Sequence, residues 1–421
     1  MLTQKRILST ALGLMLIIAM AFNFVSCSIE VQAADLMDGV EAKTPTGKQP
    51  DEAFTASYAD FSLELFKKSI TEGKNSLISP LSVMLALAMT ANGADTQTKT
   101  EMETLLGGGI SLEDLNEYLY SYVNSLPSAE KYKLGIANSI WFRDDEDALT
   151  VDKDFLQINA DYYNASAYKS PFDAQTVKDI NNWVKDKTEG MIDNIVDRID
   201  ADTIMYLINA LVFDAEWATI YEKDNITDGT FTAYNGKERS VEMMSSVEER
   251  YIDDGKATGF IKYYKDSKYA FVALLPNYNI TLDEYIDTLT GEGFVSSVKN
   301  AEKVSVETET PKFSYSYTVT MNDALKQLGM PTAFNSKLAD FSKLGSSPYG
   351  NIYIGEVLHK TFISVDERGT KAGAVTKVEM KFESCPMYDY TVTLDRPFVY
   401  AIIDTSTNLP IFMGTVTDIN G

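Results

Sequence analysis

A single imidazole, His359, and two thiols, Cys27 and Cys385, are all that 421 residues offer for activating a nucleophile or binding a soft metal. A Ser-His-Asp or Cys-His triad needs an imidazole within hydrogen-bond reach of its nucleophile. His359 lies in EVLHKTF, which alternates like a strand, and no nucleophile elbow or catalytic-cysteine pattern stands near it. Zinc sites draw on several His or Cys ligands, more than this inventory supplies, so no metal is expected. No phosphate-binding loop and no dinucleotide fingerprint is present. The 61 Asp and Glu make chance carboxylate pairs abundant, and no pair stands out as the two arms of a hydrolase. No catalytic residue and no cofactor are expected. The sequence does not read as an enzyme.

The most informative stretch is DERGTKAGAVTKVEMKFESCPM, residues 366–387. It lies between two strand-like runs, LHKTFISV and RPFVYAII, where a short turn would suffice. Connections longer than roughly 12–15 residues are uncommon inside a domain unless they are functional or disordered. This one is patterned as a strand. Thr370, Ala372, Ala374, Thr376, Val378 and Met380 fall on one side, and Lys371, Gly373, Val375, Lys377, Glu379 and Lys381 on the other. Small or apolar residues on one face and mostly charged residues on the other is the period of a half-buried strand.

The elements that must position such a segment follow from composition and pattern. With 45% hydrophobic residues the chain can bury a large core, and its net charge of −24 argues against nucleic acid as a partner. The N-terminus carries MLTQKR, then the apolar run ILSTALGLMLIIAMAF, then NFVSC, which is the layout of an export signal. Val25-Ser26-Cys27 resembles the lipobox of bacterial lipoproteins, which would make Cys27 a lipidated first residue; cleavage near Ala34 is the alternative. A membrane is expected only through that anchor, and the product is exported, held at a bacterial cell surface or secreted. With Cys27 lipidated or removed no intrachain disulfide is possible, so packing must supply the stability.

Residues 1–26 are thus expected to be a signal peptide and residues 27–50 a flexible tether, with residues 51–421 forming one domain. Helical periodicity marks FTASYADFSLELFKKSI, SVMLALAMTANGA, TKTEMETLL, LEDLNEYLYSYVNSL and VKDINNWVKDKT. Strand patterns mark KLGIANSIWF, IMYLINALVF, GTFTAY, RYIDD, TGFIKYYKDSKYAFVALLP, SVETETPKFSYSYTVT, FVYAIID and IFMGTVT. Helices in the first half and strands in the second predict an α+β fold rather than regular βαβ alternation.

Segments spread along the whole of residues 51–421 resemble the serpin family of protease inhibitors. They include NSLISPLSVMLALAMTANGADTQTKTEM (75–102), LGIANSIWF (134–142), INNWVKDKTEGMI (180–192) and LINALVFDAEW (207–217). PKFSYSYTVTMNDALKQLGMPTAF (311–334), VLHKTFISVDERGTKAGAVT (357–376) and RPFVYAIIDTSTNLPIFMG (396–414) follow in the family's order. The resemblance implies a serpin fold with three β-sheets, about eight or nine helices and an exposed reactive-centre loop at about 367–392.

The resemblance also implies a reason for a loop written as a strand. In serpins a target protease cleaves this loop, which then inserts into the central sheet and carries the acylated protease with it. Counting from Glu367 as the family does places the reactive bond at Glu383–Ser384, with Phe382–Glu383 and Met387–Tyr388 as alternatives. The hinge is Glu367, Arg368, Gly369, Thr370, Lys371, Ala372, Gly373, Ala374, Val375 and Thr376. Thr370, Ala372, Ala374 and Thr376 are small enough to pass between packed strands, and Gly369 offers backbone freedom. By the same comparison Ser79, Ser82, Asn209 and His359 form the shutter beneath the sheet, and Trp217 marks the breach where the loop first enters. Insertion would add on the order of ten backbone hydrogen bonds at a net of roughly 0.5–1.5 kcal/mol each. The sum, on the order of 10 kcal/mol, matches a domain's whole stability, so the uninserted form must be a kinetic trap.

The expected partner is a serine protease, of glutamyl-, elastase-, subtilisin- or chymotrypsin-like type, or a cysteine protease, met by a monomeric inhibitor. The competing expectation is a serpin-fold surface binding or structural protein that does not inhibit. Small hinge residues argue for the inhibitor.

Overall fold

The structure, a computed structural model, describes residues 31–144, 149–200, 203–348, 350–370 and 388–420. Helices α1 (Glu52–Ser69), α2 (Pro80–Ala91), α3 (Thr96–Gly107), α4 (Leu112–Ser125), α5 (Lys153–Tyr163) and α6 (Ala174–Lys187) lie in the first half. The shorter α7 (Leu282–Thr288), α8 (Gly291–Lys299) and α9 (Asn322–Gln327) follow. The first ten strands are β1 (Ala34–Asp35), β2 (Ser76–Ile78), β3 (Tyr132–Arg143), β4 (Thr150–Val151), β5 (Ser166–Ser170), β6 (Met205–Glu216), β7 (Ile226–Thr232), β8 (Glu238–Glu248), β9 (Tyr251–Asp253) and β10 (Ala257–Tyr263). The rest are β11 (Tyr269–Pro276), β12 (Val306–Pro311), β13 (Phe313–Thr320), β14 (Gly345–Ser346), β15 (Glu356–Val365), β16 (Gly369–Thr370), β17 (Tyr390–Thr393), β18 (Phe398–Asp404) and β19 (Pro410–Val416).

These strands form three larger sheets, so the α+β expectation with three sheets is met. The first sheet runs β1-β5-β3-β6-β16-β15-β13, the second β2-β19-β18-β11-β10-β9, and the third β17-β12-β8-β7. Strands β18 and β19 are buried along their whole length, which explains why FVYAIID and IFMGTV read as unbroken apolar runs rather than alternating ones.

Local chemistry sets the helices that frame the first sheet. Asp51 caps α1 by accepting from Phe54 N–H, and Lys67 and Lys68 sit in its last turn, where a helix favours cations. Ser79 caps α2, with Pro80 at the first helical position, where a missing N–H costs nothing. Every residue of α2 is buried, as befits a helix that is apolar on all sides and runs through the core behind β3, β6 and β19. Helix α6 begins with a capping box between Asp173 and Thr176. Its Ile180, Trp183 and Val184 pack with Trp141, Tyr206, Ile208 and Leu358 of the first sheet as a separate apolar layer.

Residues 31–50 differ from the tether expected for 27–50. Ala34 and Asp35 pair with Lys169 and Tyr168, adding an edge strand to the first sheet. The N–H groups of Gln32 and Ala33 both donate to the Asp179 carboxylate on α6, at 3.1 and 2.8 Å. Further on, Lys43 N–H donates to Asp161 and Lys48 pairs with Asp114. The segment is too short and polar to show periodicity, yet its backbone finds partners on the body and Leu36, Met37 and Val40 pack against the core.

Candidate functional site: the opening in the first sheet

Two short segments decide whether the first sheet can accept another strand. At one end β15 pairs directly with β6 in parallel, from Glu356–Tyr206 to His359–Asn209. At the other end β16 lies between them, Gly369 and Thr370 facing Glu216 and Ala215 on one side and Thr370 facing Val365 on the other. The first residues after the turn at Asp366 therefore already occupy the gap.

The closed end is held by side chains. His359 is buried, and its Nε2 accepts from the Ser79 backbone N–H at 3.0 Å. That fixes the tautomer: the proton is on Nδ1, which donates to Asn209 Oδ1 at 3.1 Å. Ser82 Oγ donates to the same Asn209 oxygen, and Asn209 Nδ2 donates to Ser82 O at 2.6 Å. Burial alone pushes the His359 imidazole down to about 3, so it is neutral. Ser79, Ser82, Asn209 and His359, widely separated in sequence, thus meet in one hydrogen-bonded cluster. Asn138 joins it from β3, accepting from Asn209 Nδ2 at 2.5 Å. Asn138 is not among the expected residues, although a polar Asn inside the strand LGIANSIWF signals that a partner awaits it.

The open end is aromatic. Trp217 is buried and stacks on Tyr264 with centroids 4.4 Å apart at 13°. Its indole N–H donates to Asp366 O at 2.9 Å and its backbone N–H to Arg368 O at 2.7 Å. Tyr221 N–H donates to Glu367 O at 2.9 Å. Three successive carbonyls of the turn are held by two aromatic residues. The Glu367 carboxylate pairs with Lys312 at 2.9 Å, and that hydrogen bond holds its carboxyl below the usual range. Thr370 is buried, and its hydroxyl shares a 2.5 Å hydrogen bond with Tyr264 OH.

Gly369 is needed here for a different reason from the backbone freedom expected of it. A Cβ at this position would meet Ala215 O at 2.0 Å and Glu216 Cα at 3.0 Å, so the close approach of β6 excludes any side chain. No local pattern in the sequence marks Tyr264, Tyr221 or Lys312, whose partners lie dozens of residues away. Lys371, Ala372, Gly373, Ala374, Val375, Thr376, Phe382, Glu383, Ser384, Cys385 and Met387 lie outside the described residues, as do residues 1–26 and Cys27.

A family profile described as "Serpin (serine protease inhibitor)" matches residues 56–419. Serpin B10 of Bos taurus is 30% identical over 85% of this chain and 97% of its own length. The crystal structure of the thermophilic serpin tengpin in the native state is 56% identical, covering 92% of this chain and 100% of that one, with a TM-score of 0.89. The same thermophilic serpin in its latent state, covering 89% and 100%, gives a TM-score of 0.80 at 57% identity.

Proposed function

The chain belongs to the serpin family, whose members are generally protease inhibitors rather than enzymes, and from that premise we propose that it is a suicide-substrate inhibitor of serine-type proteases. The protease serine attacks the carbonyl of the reactive bond at Glu383–Ser384. An ester forms, and the peptide beginning at Ser384 leaves with a new amino group. Water could then hydrolyse the ester, but the freed loop zips into the first sheet faster and carries the bound protease with it. One observation supports this reading above all. Gly369 and Thr370 already lie antiparallel between β6 and β15, while the same two strands are paired directly below, at His359–Asn209. A strand growing from Thr370 has only to part that parallel pairing to extend.

The proposed partner is a glutamyl-, elastase-, subtilisin- or chymotrypsin-like protease, or a cysteine protease, engaged by a monomer. The test incubates the exported protein with a panel of these enzymes. Expected are a complex resistant to SDS and release of a peptide beginning at Ser384. A different first residue moves the bond to Phe382–Glu383 or Met387–Tyr388. Clean cleavage with no complex, and no rise in heat stability afterwards, overturns the proposal and leaves a surface binding protein on a serpin fold.

The proposal extends to location: a bacterial cell-surface lipoprotein anchored at Cys27. The docked segment supports this over cleavage near Ala34, which would sever β1 and remove the N–H groups of Gln32 and Ala33 from Asp179. Mass spectrometry of the mature N-terminus distinguishes the two.

A further inference from the structure

Lys262, on β10, is only 2% exposed, among the rarest placements for a lysine. Its ammonium contacts Glu248 Oε1 at 2.7 Å and Ser246 Oγ at 3.4 Å. It also lies 4.2 Å from the ring centre of Tyr221 and 5.5 Å from that of Trp217. These are the two residues whose N–H groups hold the carbonyls of Asp366, Glu367 and Arg368. A buried ion pair is weak evidence for stability, because apolar residues of similar volume often replace one at no loss. What a desolvated cation adds is orientation, since both ring faces attract it at this range.

The counterion leads in the other direction. Glu248 ends β8, and its Oε1 also accepts from Ser246 Oγ at 2.6 Å. Ser246 Oγ shares a 3.0 Å hydrogen bond with Thr308 Oγ1 on β12. Thr308 is in register with Val392 on β17, the strand that takes up the chain after the loop. Tyr221 OH reaches the same strand β12 at Thr310 Oγ1, 3.4 Å away. One buried polar chain therefore runs from the turn before the loop to the sheet that receives its far end.

We propose that Lys262 is a positioning residue for loop insertion: it braces Trp217 and Tyr221 so that residues 366–368 stay fixed as the pivot about which the cleaved loop turns. The inference rests on the inhibitory reading. A pivot that yields slows the first step of zipping, and slower zipping gives water longer to hydrolyse the acyl-enzyme. The protein is then consumed as a substrate.

The variant to make is Lys262→Met with Glu248→Gln, since Lys262→Met alone strands a buried carboxylate. The loop is nicked with excess subtilisin, and insertion is followed by tryptophan fluorescence and by gain of heat stability. Expected is insertion slower by about fivefold or more, from the loss of a desolvated cation's contacts with two rings. The melting temperature of the intact protein should stay within about 3 °C of the parent, and Lys262→Arg should restore the rate. The moles of inhibitor consumed per protease trapped should rise in the double variant alone. If the double variant does not fold, Tyr221→Leu, which removes one braced ring and no charge, must show the same slowing. Insertion at the parent rate overturns this inference and leaves inhibition standing. A parent protein that never gains heat stability after nicking overturns both.

Discussion

His359 and Asn209 stand side by side at the last directly paired position of β15 and β6, with His359 Nδ1 3.1 Å from Asn209 Oδ1. The contact joins the two strands that the proposed insertion would part, at the point where the parting would have to begin. Its strength depends on a neutral ring. Protonating Nε2 would set a donor against the Ser79 N–H that it now accepts.

The pH dependence has a definite sign. The folded-state value of about 3 lies below the ordinary value of 6.5, so the unfolded chain binds the proton more readily. The contribution of His359 is complete above about pH 6.5 and is lost as pH falls from there toward 3, at roughly 1.4 kcal/mol per unit. Denaturant unfolding of the parent and of His359→Gln at pH 7 and pH 4.5 isolates the effect from the carboxylates common to both. The parent should lose about 2–3 kcal/mol more than the variant over that interval. Parallel losses would mean that the ring is hydrated, contrary to the structure.

Gly369 gives a steric prediction. In Gly369→Ala the new Cβ would lie 2.0 Å from the Ala215 carbonyl oxygen, a backbone atom that cannot swing aside. Residues 369–370 should leave the gap, at a cost of about 1–3 kcal/mol, the range for overpacking. Hydrogen exchange at the Thr370 amide should accelerate, and on the proposed mechanism complex formation with a protease should fall, because a strand growing from Thr370 depends on Gly369 keeping its place beside that carbonyl. Unchanged exchange at Thr370 would show that β6 has room to retreat.

Much of this arrangement could be read from the chain because it is written locally. The alternation after Thr370, the Ser79-Pro80 helix start and the apolar runs of β18 and β19 each depend on neighbours within a few residues. Helices α5, α7, α8 and α9 carry no helical pattern in the sequence. The last three are short, and Tyr285, Ile286, Phe294, Val298 and Leu325 are buried among partners that only the folded chain brings together. The same holds at the site. His359, Asn209, Ser79 and Ser82 were recovered by resemblance to a family and not by spacing, since hydrogen bonds across 127 and 280 residues leave no periodic trace. Tyr264 and Lys262 leave no such trace either, because an aromatic or charged residue in or beside a strand looks the same whether or not a partner faces it.

Glu367 and Lys312 test how little an accessible ion pair contributes. The side chains keep 37% and 24% of their exposure, so solvent screens the 2.9 Å contact. Glu367→Gln should cost less than about 1 kcal/mol, and the difference from the parent should vanish in molar salt. The turn should persist in the variant, because its carbonyls are held by Trp217 and Tyr221 rather than by the carboxylate. A large loss that is insensitive to salt would place the ion pair, and not the aromatic residues, at the centre of the turn.

Thr370 and Tyr264 report whether the hinge occupies the sheet at rest. Their hydroxyls share a 2.5 Å hydrogen bond in a buried setting, and burial pushes the Tyr264 phenol well above its ordinary range. Thr370→Val keeps the shape and removes one partner, leaving the Tyr264 hydroxyl buried without its bond at a cost of about 1–3 kcal/mol. Tyr264→Phe leaves the smaller Thr370 hydroxyl in the same position. With both changed, neither orphan remains, so the double variant should recover part of the summed loss. The resulting coupling should be about 0.5–1.5 kcal/mol, measured by denaturant unfolding of all four proteins. A coupling near zero would mean that Thr370 spends its time outside the gap, and that the loop begins insertion one residue pair earlier than β16 implies. A coupling in the expected range would make the first step of zipping a propagation from an existing strand, which needs no new nucleus.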